Sequence, residues 1–234
     1  MARRPPDRRA APDVAEIVRR LRKAHGPLVA PRSADPLDEL VATVLSQHTS
    51  DANTERAFAA LKARFPDYAA VLAATEATLA STIRSGGLAN VKAARIRAIL
   101  RELLERRGEL DLGFLRDLPD DEVFEFLTTL PGVGPKTAAI VQAFSLGRPA
   151  IPVDTHVHRV ATRLGLVPKT NAARAQRLLE GSVPARSKIA LHMGLIHHGR
   201  ATCTALRPRC DECPLFDLCP SGPTLRRSAG ARRR

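Results

Sequence analysis

Residues 130–138 read LPGVGPKTA: Leu130 and Pro131, then Gly132-Val133-Gly134, then Pro135 directly ahead of Lys136. Upstream, DDEVFEFLTTL over 120–130 sets Val123, Phe124, Leu127 and Leu130 on one helical face. Pro131 stops that helix, the glycines permit a tight turn, and Pro135 stands where proline best opens a helix. The stretch predicts a helix–hairpin–helix. Its turn and the start of its second helix offer N–H groups without intrahelical acceptors, which carry partial positive charge. A DNA phosphate is a natural occupant, held without regard to base sequence. A nucleotide-binding P-loop does not fit, because Pro135 and Leu130 occupy the two places where that loop needs glycine. Lys136 then has three readings: a surface lysine on a structural corner, a phosphate contact in a grip that catalyses nothing, or a nucleophile.

The helical period recurs on both sides of the hairpin. Val14, Ile17, Val18 and Leu21 form one stripe, and Asp35-Pro36 caps and opens another with Leu37, Leu40, Val41, Val44 and Leu45. Asp51 is placed to cap a helix carrying Phe58, Leu61 and Phe65. Further helices are predicted near 69–74, 76–85, 90–106, 135–146, 155–164, 171–180 and 186–198. No segment sustains a period of two, so the fold class is all-α. The ends, 1–11 and 221–234, are basic and poor in apolar residues, and are expected to be disordered tails.

Across 234 residues, 37 Lys and Arg face 24 Asp and Glu, a formal net charge of +13. That excess asks for a polyanion, either nucleic acid or an acidic membrane surface. No apolar run approaches the roughly 18 residues of a membrane span, and no apolar stretch follows the N-terminal arginines as in a secretion signal. Nucleic acid is the better partner, and no membrane role is expected. The chain has no Trp and one Tyr, and Phe58, Phe65, Phe124 and Phe144 sit in helical core patterns, so a base-stacking platform is not expected.

Two further stretches carry chemistry. IPVDTHVHR at 151–159 places Asp154 to cap a helix running through Val157, Val160, Ala161 and Leu164, and capping alone accounts for an aspartate there. The pair Lys136 and Asp154 also suits amine nucleophile chemistry. Burial at a positive helix end helps a lysine shed its proton, and a carboxylate can accept a proton or stabilise an oxocarbenium-like sugar. All four cysteines, Cys203, Cys210, Cys213 and Cys219, fall in the pattern C-x6-C-x2-C-x5-C. With no secretion signal, a four-thiolate metal site is expected rather than disulfides. The spacing admits zinc or an iron–sulfur cluster, and three cysteines in close succession suit a cubane better than the paired knuckles of a zinc ribbon.

Together, LPGVGPKTA, VDTHVHR at 153–159 and GRATCTALRPRCDECPLFDLC at 199–219 resemble the endonuclease III family of helix–hairpin–helix DNA glycosylases. LSQHTSD at 45–51 and GLANVKAARI at 87–96 match more loosely, and the resemblance covers about 15–220. It implies two helical domains flanking a DNA-binding cleft: a six-helix barrel with the hairpin at 30–147, and a discontinuous cluster domain of 12–29 with 148–220. It implies a [4Fe–4S] cluster on the four cysteines and a bifunctional DNA glycosylase/AP lyase of base excision repair. Such an enzyme acts on double-stranded DNA with damaged pyrimidines or abasic sites, and is expected to be a cytoplasmic monomer on the bacterial nucleoid. Lys136 matches the nucleophile and Asp154 its aspartate. Leu88 and the stretch with Gln47 and His48 match residues that enter the gap left by the extruded base. Gly132 and Gly134 fall at the phosphate-binding turn. Arg207 and Arg209, in TALRPR at 204–209, are expected to meet phosphate beside a structural cluster. The chain departs from the family at His48, where glutamine is common, at Ala89, where an aromatic can occur, and at Pro135, where a basic residue is frequent. Two rival readings stand beside this one: a catalytically weak DNA-binding module, and a monofunctional glycosylase with Lys136 as a phosphate contact.

Overall fold

The computed structural model describes residues 12–30 and 33–231, and among them none is in a strand. Helix α1 (Val14–His25) begins at Asp13, whose carboxylate accepts from the Ala15 N–H at 3.0 Å, and buries Ile17, Val18 and Leu21. Helix α2 (Pro36–Ser46) opens on Asp35-Pro36 as expected. Helix α3 (Asp51–Arg64) is capped by Ser50 rather than Asp51: the serine hydroxyl accepts from Asn53 N–H, and Asp51 already lies in the first turn. Two short helices follow, α4 (Tyr68–Ala73) and α5 (Glu76–Thr82), each with its own side-chain cap, Asp67 and Thr75. Then come α6 (Ala89–Arg107), α7 (Asp120–Thr129), α8 (Pro135–Phe144), α9 (Thr155–Leu164), α10 (Ala172–Ser182), α11 (Lys188–Ala201) and α12 (Gly222–Ala231). No helix is long and apolar enough to cross a membrane among the described residues.

The chain divides into two compact units, one formed by the segment up to Ala30 with everything from Val153, the other ending at Pro152. The division falls a few residues later than the 147–148 boundary expected from sequence. Arg148 is the reason: its guanidinium donates to the carbonyls of Leu115 and Arg116 and to the Asp120 carboxylate, which ties 148–152 to the hairpin-bearing unit.

That unit, containing α2–α8, is built around α2. Leu40, Val41, Val44 and Leu45 are fully buried, with Ile96, Leu100 and Leu103 of α6, Leu127 of α7 and Val141 of α8 in the same core. Phe65 is buried, and Phe58 and Phe124 pack against this core, as their helical spacing predicted. In the other unit α11 packs closely against both α1 and α9. A Cβ on Gly194 would stand 2.8 Å from Leu21, and one on Gly199 would stand 3.0 Å from His156.

The expectation of a disordered tail over 221–234 is corrected over its described part, which forms α12. Leu225 lies against the cavity lined by the cysteines, and Arg226 pairs with Asp211 at 2.6 Å and covers the Phe216 ring. These are tertiary contacts, and the local sequence, with one leucine among polar residues, does not announce them. Residues 1–11 and 232–234 lie outside the described residues.

Candidate active site and nucleic-acid interface

The hairpin forms as its punctuation predicted. α7 ends at Thr129, the Val133 N–H donates back to the Leu130 carbonyl at 3.1 Å, and Val133 is buried, pinning the turn to the core. The N–H groups of Gly132, Gly134 and Lys136 have no acceptor among the described residues. With the start of α8 they form a cluster of outward donors. The two glycines have different causes. Gly132 has φ 72°, and a Cβ there would stand 2.5 Å from Nε of Arg95. Gly134 has φ −94° with no heavy atom within 4 Å of a Cβ, so nothing in the fold itself requires glycine there. The space at Gly134 faces outward, beside the donors.

Lys136 occupies the second position of α8, and its side chain is exposed. Burial by the protein, the condition considered from sequence, is therefore not how its amine is activated.

Two other turns of the same unit hold the predicted gap-entering residues. His48 (φ 55°) and Leu88 (φ 48°) are the described non-glycine residues with left-handed backbone, a conformation costing about 1 kcal/mol or more at each site. Both are exposed, Leu88 by 57%. Lys92 anchors both turns. Only 2% exposed, it donates to the carbonyl of Leu45 at 2.6 Å and to that of Gly86 at 2.7 Å, just ahead of the two strained residues. Its burial lowers the ammonium pKa. One turn along α6, Arg95 donates to Oε1 of Gln47, and its stem lies over Gly132. Gln47, His48, Leu88 and Gly132 are thus joined through one helix. Sequence reasoning missed Lys92 and Arg95. A signal existed for the first: Lys92 lies on the stripe with Ala93, Ile96, Ile99 and Leu103, and a lysine on a core face calls for a buried partner.

Asp154 belongs to the other unit and caps α9, with Oδ1 accepting from the Val157 N–H at 2.7 Å. Its side chain is half-buried, and its second oxygen has no hydrogen-bond partner among the described residues. One oxygen fixes the carboxylate, and the other is available for chemistry.

Cys203, Cys210, Cys213 and Cys219 line a single cavity with Phe216 and Leu225. Burial raises the Cys210 and Cys219 thiols and pushes Cys213 up to about 11, so their ionisation calls for a bound cation. Arg163 braces the rim, donating to Sγ of Cys203 at 3.2 Å, to the Thr204 carbonyl at 2.8 Å and to that of Ala205 at 2.9 Å. Arg20 of α1 donates to the Pro214 carbonyl at 3.0 Å and pairs with Asp217. No group of three His, Cys, Asp or Glu side chains among the described residues is placed for a single metal ion. Four thiols lining one cavity supply the four cysteine ligands that a [4Fe–4S] cubane takes. Arg207 and Arg209 are exposed on the adjoining loop, whose shape is held by the Thr204 hydroxyl donating to the Arg207 carbonyl at 2.7 Å.

A donor-rich hairpin, an exposed lysine at its helix start and a four-cysteine cavity define a class. Residues 41–185 match the family of HhH-GPD superfamily base excision DNA repair proteins, and the chain belongs to that family. Residues 203–219 match the iron–sulfur binding domain of endonuclease III. The chain is 41% identical to endonuclease III of Treponema pallidum over 180 residues, 77% of this chain and 81% of that one. To endonuclease III of Escherichia coli it is 36% identical over 205 residues, covering 87% and 93%. A solved structure of a trapped endonuclease III–DNA covalent intermediate is 30% identical, with TM-score 0.77, covering 94% of this chain and 97% of that one. The chain is accordingly a DNA glycosylase of base excision repair with AP lyase activity, holds a [4Fe–4S] cluster and acts on DNA.

Proposed function

We propose that this chain removes oxidised pyrimidines from duplex DNA with Lys136 as nucleophile and Asp154 as the assisting carboxylate, acting as a monomer in the cytoplasm. The observation that carries the reading is Lys136 itself: an exposed amine one residue beyond Pro135, beside three backbone N–H groups free to hold phosphate. A strand gripped by those donors brings a deoxyribose to the amine, and DNA lying over the lysine strips away the water that favours its charged form. The neutral amine attacks C1′, the C1′–N bond breaks, and the base leaves with a proton. The C1′–O4′ bond then opens, O4′ taking a proton, and the resulting iminium loses a C2′ proton, the 3′ C–O bond breaks by β-elimination, and water releases the lysine. Asp154, with one oxygen committed to its cap, offers the other to the positive charge developing on the sugar. Gln47, His48 and Leu88 fill the space of the departed base, and Arg207 and Arg209 add phosphate contacts.

The lesion class is tested by single-turnover excision on duplexes carrying an oxidised pyrimidine, an oxidised purine or uracil. The reading expects base release and strand nicking first at the oxidised pyrimidine. Faster release of the purine contradicts it. Sedimentation with and without DNA tests the monomer.

A further inference from the structure

Arg95 stands where three DNA-facing turns meet, and the mechanism above assigns it nothing. Its guanidinium donates through Nη1 to Oε1 of Gln47 at 2.5 Å, and it has no other hydrogen-bond partner among the described residues. Its stem crosses Gly132, where a Cβ would meet Cδ at 2.8 Å and Nε at 2.5 Å. One turn earlier, Lys92 fixes the carbonyls of Leu45 and Gly86. A glutamine side chain on a surface turn costs up to roughly 2 kcal/mol of rotamer entropy to order. His48, its neighbour, is already in a strained backbone conformation. A planar guanidinium whose stem rests on the hairpin turn can prepay that ordering.

We propose that Arg95 is a positioning residue for base extrusion: it holds Gln47 in its working orientation and couples that side chain to the hairpin that grips the strand. The consequence is mechanical. Phosphate binding at Gly132–Lys136 and filling of the base gap by Gln47 share one rigid strut, so a grip on the strand presents Gln47 to the gap already oriented. The inference rests on the glycosylase reading of Lys136 and Gln47. Gly132 then has a second reason to be glycine, since a side chain there displaces the strut.

The test is a double-mutant cycle of Arg95→Met, which keeps the stem and removes the guanidinium, with Gln47→Leu. Two rates are read: excision of an oxidised pyrimidine, and nicking of a preformed abasic site, where no base has to leave the stack. Each single variant is expected to slow excision about tenfold, the scale of one hydrogen bond to a charged group, and to change abasic-site nicking far less. The double variant should be no slower than either single, within about twofold, because both remove one interaction. Arg95→Lys should recover part of the loss, and the salt dependence of DNA binding should match the parent's. Multiplying losses, a silent Gln47→Leu, or a salt slope lowered by about 0.9, the mark of a lost phosphate contact, each overturns the inference. Should Arg95→Met melt early, Arg95→Leu, which also lacks a donor, completes the same cycle. Borohydride trapping of the parent on the abasic duplex checks the Lys136 chemistry separately, so the two failures can be told apart.

Discussion

The two hairpin glycines should fail in different ways when replaced by alanine, and the geometry sets how much. At Gly132 alanine enters at φ 72° with its Cβ 2.5 Å from Nε of Arg95. The left-handed backbone costs about 1–2 kcal/mol, and moving Arg95 away surrenders a hydrogen bond to a charged group, about 1.5–3 kcal/mol more. A total near 3 kcal/mol lowers the melting temperature by roughly 6–12 °C at this chain length. At Gly134 the backbone is ordinary and the space open, so strain is absent. The lower chain entropy of alanine offsets its poorer capping, and stability should stay within about 0.5 kcal/mol of the parent. If the turn approaches a DNA strand closely, however, a methyl group at 134 stands between backbone donors and phosphate. Loss of one such charge-assisted contact weakens binding about tenfold or more. Thermal melts and titration against a duplex with a non-cleavable abasic analogue read both effects. Gly134→Ala should melt like the parent and bind poorly. A Gly134→Ala protein that binds as tightly as the parent refutes the placement of phosphate at this turn.

Lys92→Met leaves the Leu45 and Gly86 carbonyls buried without their donor, at a cost of about 1–3 kcal/mol each; a fall in melting temperature of roughly 4–24 °C should result, and one below about 2 °C contradicts the anchoring role. The Glu16 carboxylate is held down at about 2 by hydrogen bonds from Arg19 and then Arg20, the arginine that ties α1 to Asp217 beside the cysteines. A depressed carboxylate contributes stability above its unfolded pKa near 4.5 and loses it as pH falls toward 2, so Glu16→Gln should narrow the gap between melts at pH 5 and pH 3. Equal pH dependence in both proteins counts against this. Replacing Arg207 and Arg209 with alanine should weaken DNA binding at every sequence and reduce the salt slope by up to about 1.8. An unchanged slope removes both from the interface.

The hairpin, the helices and the grouping of the four cysteines were legible because each rests on local pattern: period, proline and glycine punctuation, and thiol spacing. What stayed illegible depends on partners distant in the chain. Nothing in GVG separates Gly132 from Gly134, because the difference is made by Arg95 on another helix. α12 owes its contacts to Asp211, Phe216 and the cysteine cavity, and the unit boundary owes its place to Arg148. The substitution of Ser50 for Asp51 as a cap is a one-residue shift between two competent capping residues. The left-handed backbone at Leu88 could not be read from its residue type, which disfavours it, and at His48 histidine's modest enrichment in that region is too weak a signal to place it. It marks two of the positions picked out for the base gap, and the lysine that holds both was visible only as a charge on an apolar stripe.

The central claim is that Lys136 bonds covalently to C1′ of the damaged nucleotide. Borohydride reduction during turnover on an oxidised-pyrimidine duplex, followed by mass analysis of the digested adduct, tests it most directly. The account predicts a stable protein–DNA adduct mapped to Lys136 and lost in Lys136→Gln, which still binds the duplex. An adduct on another residue, or none from an active parent enzyme, contradicts it.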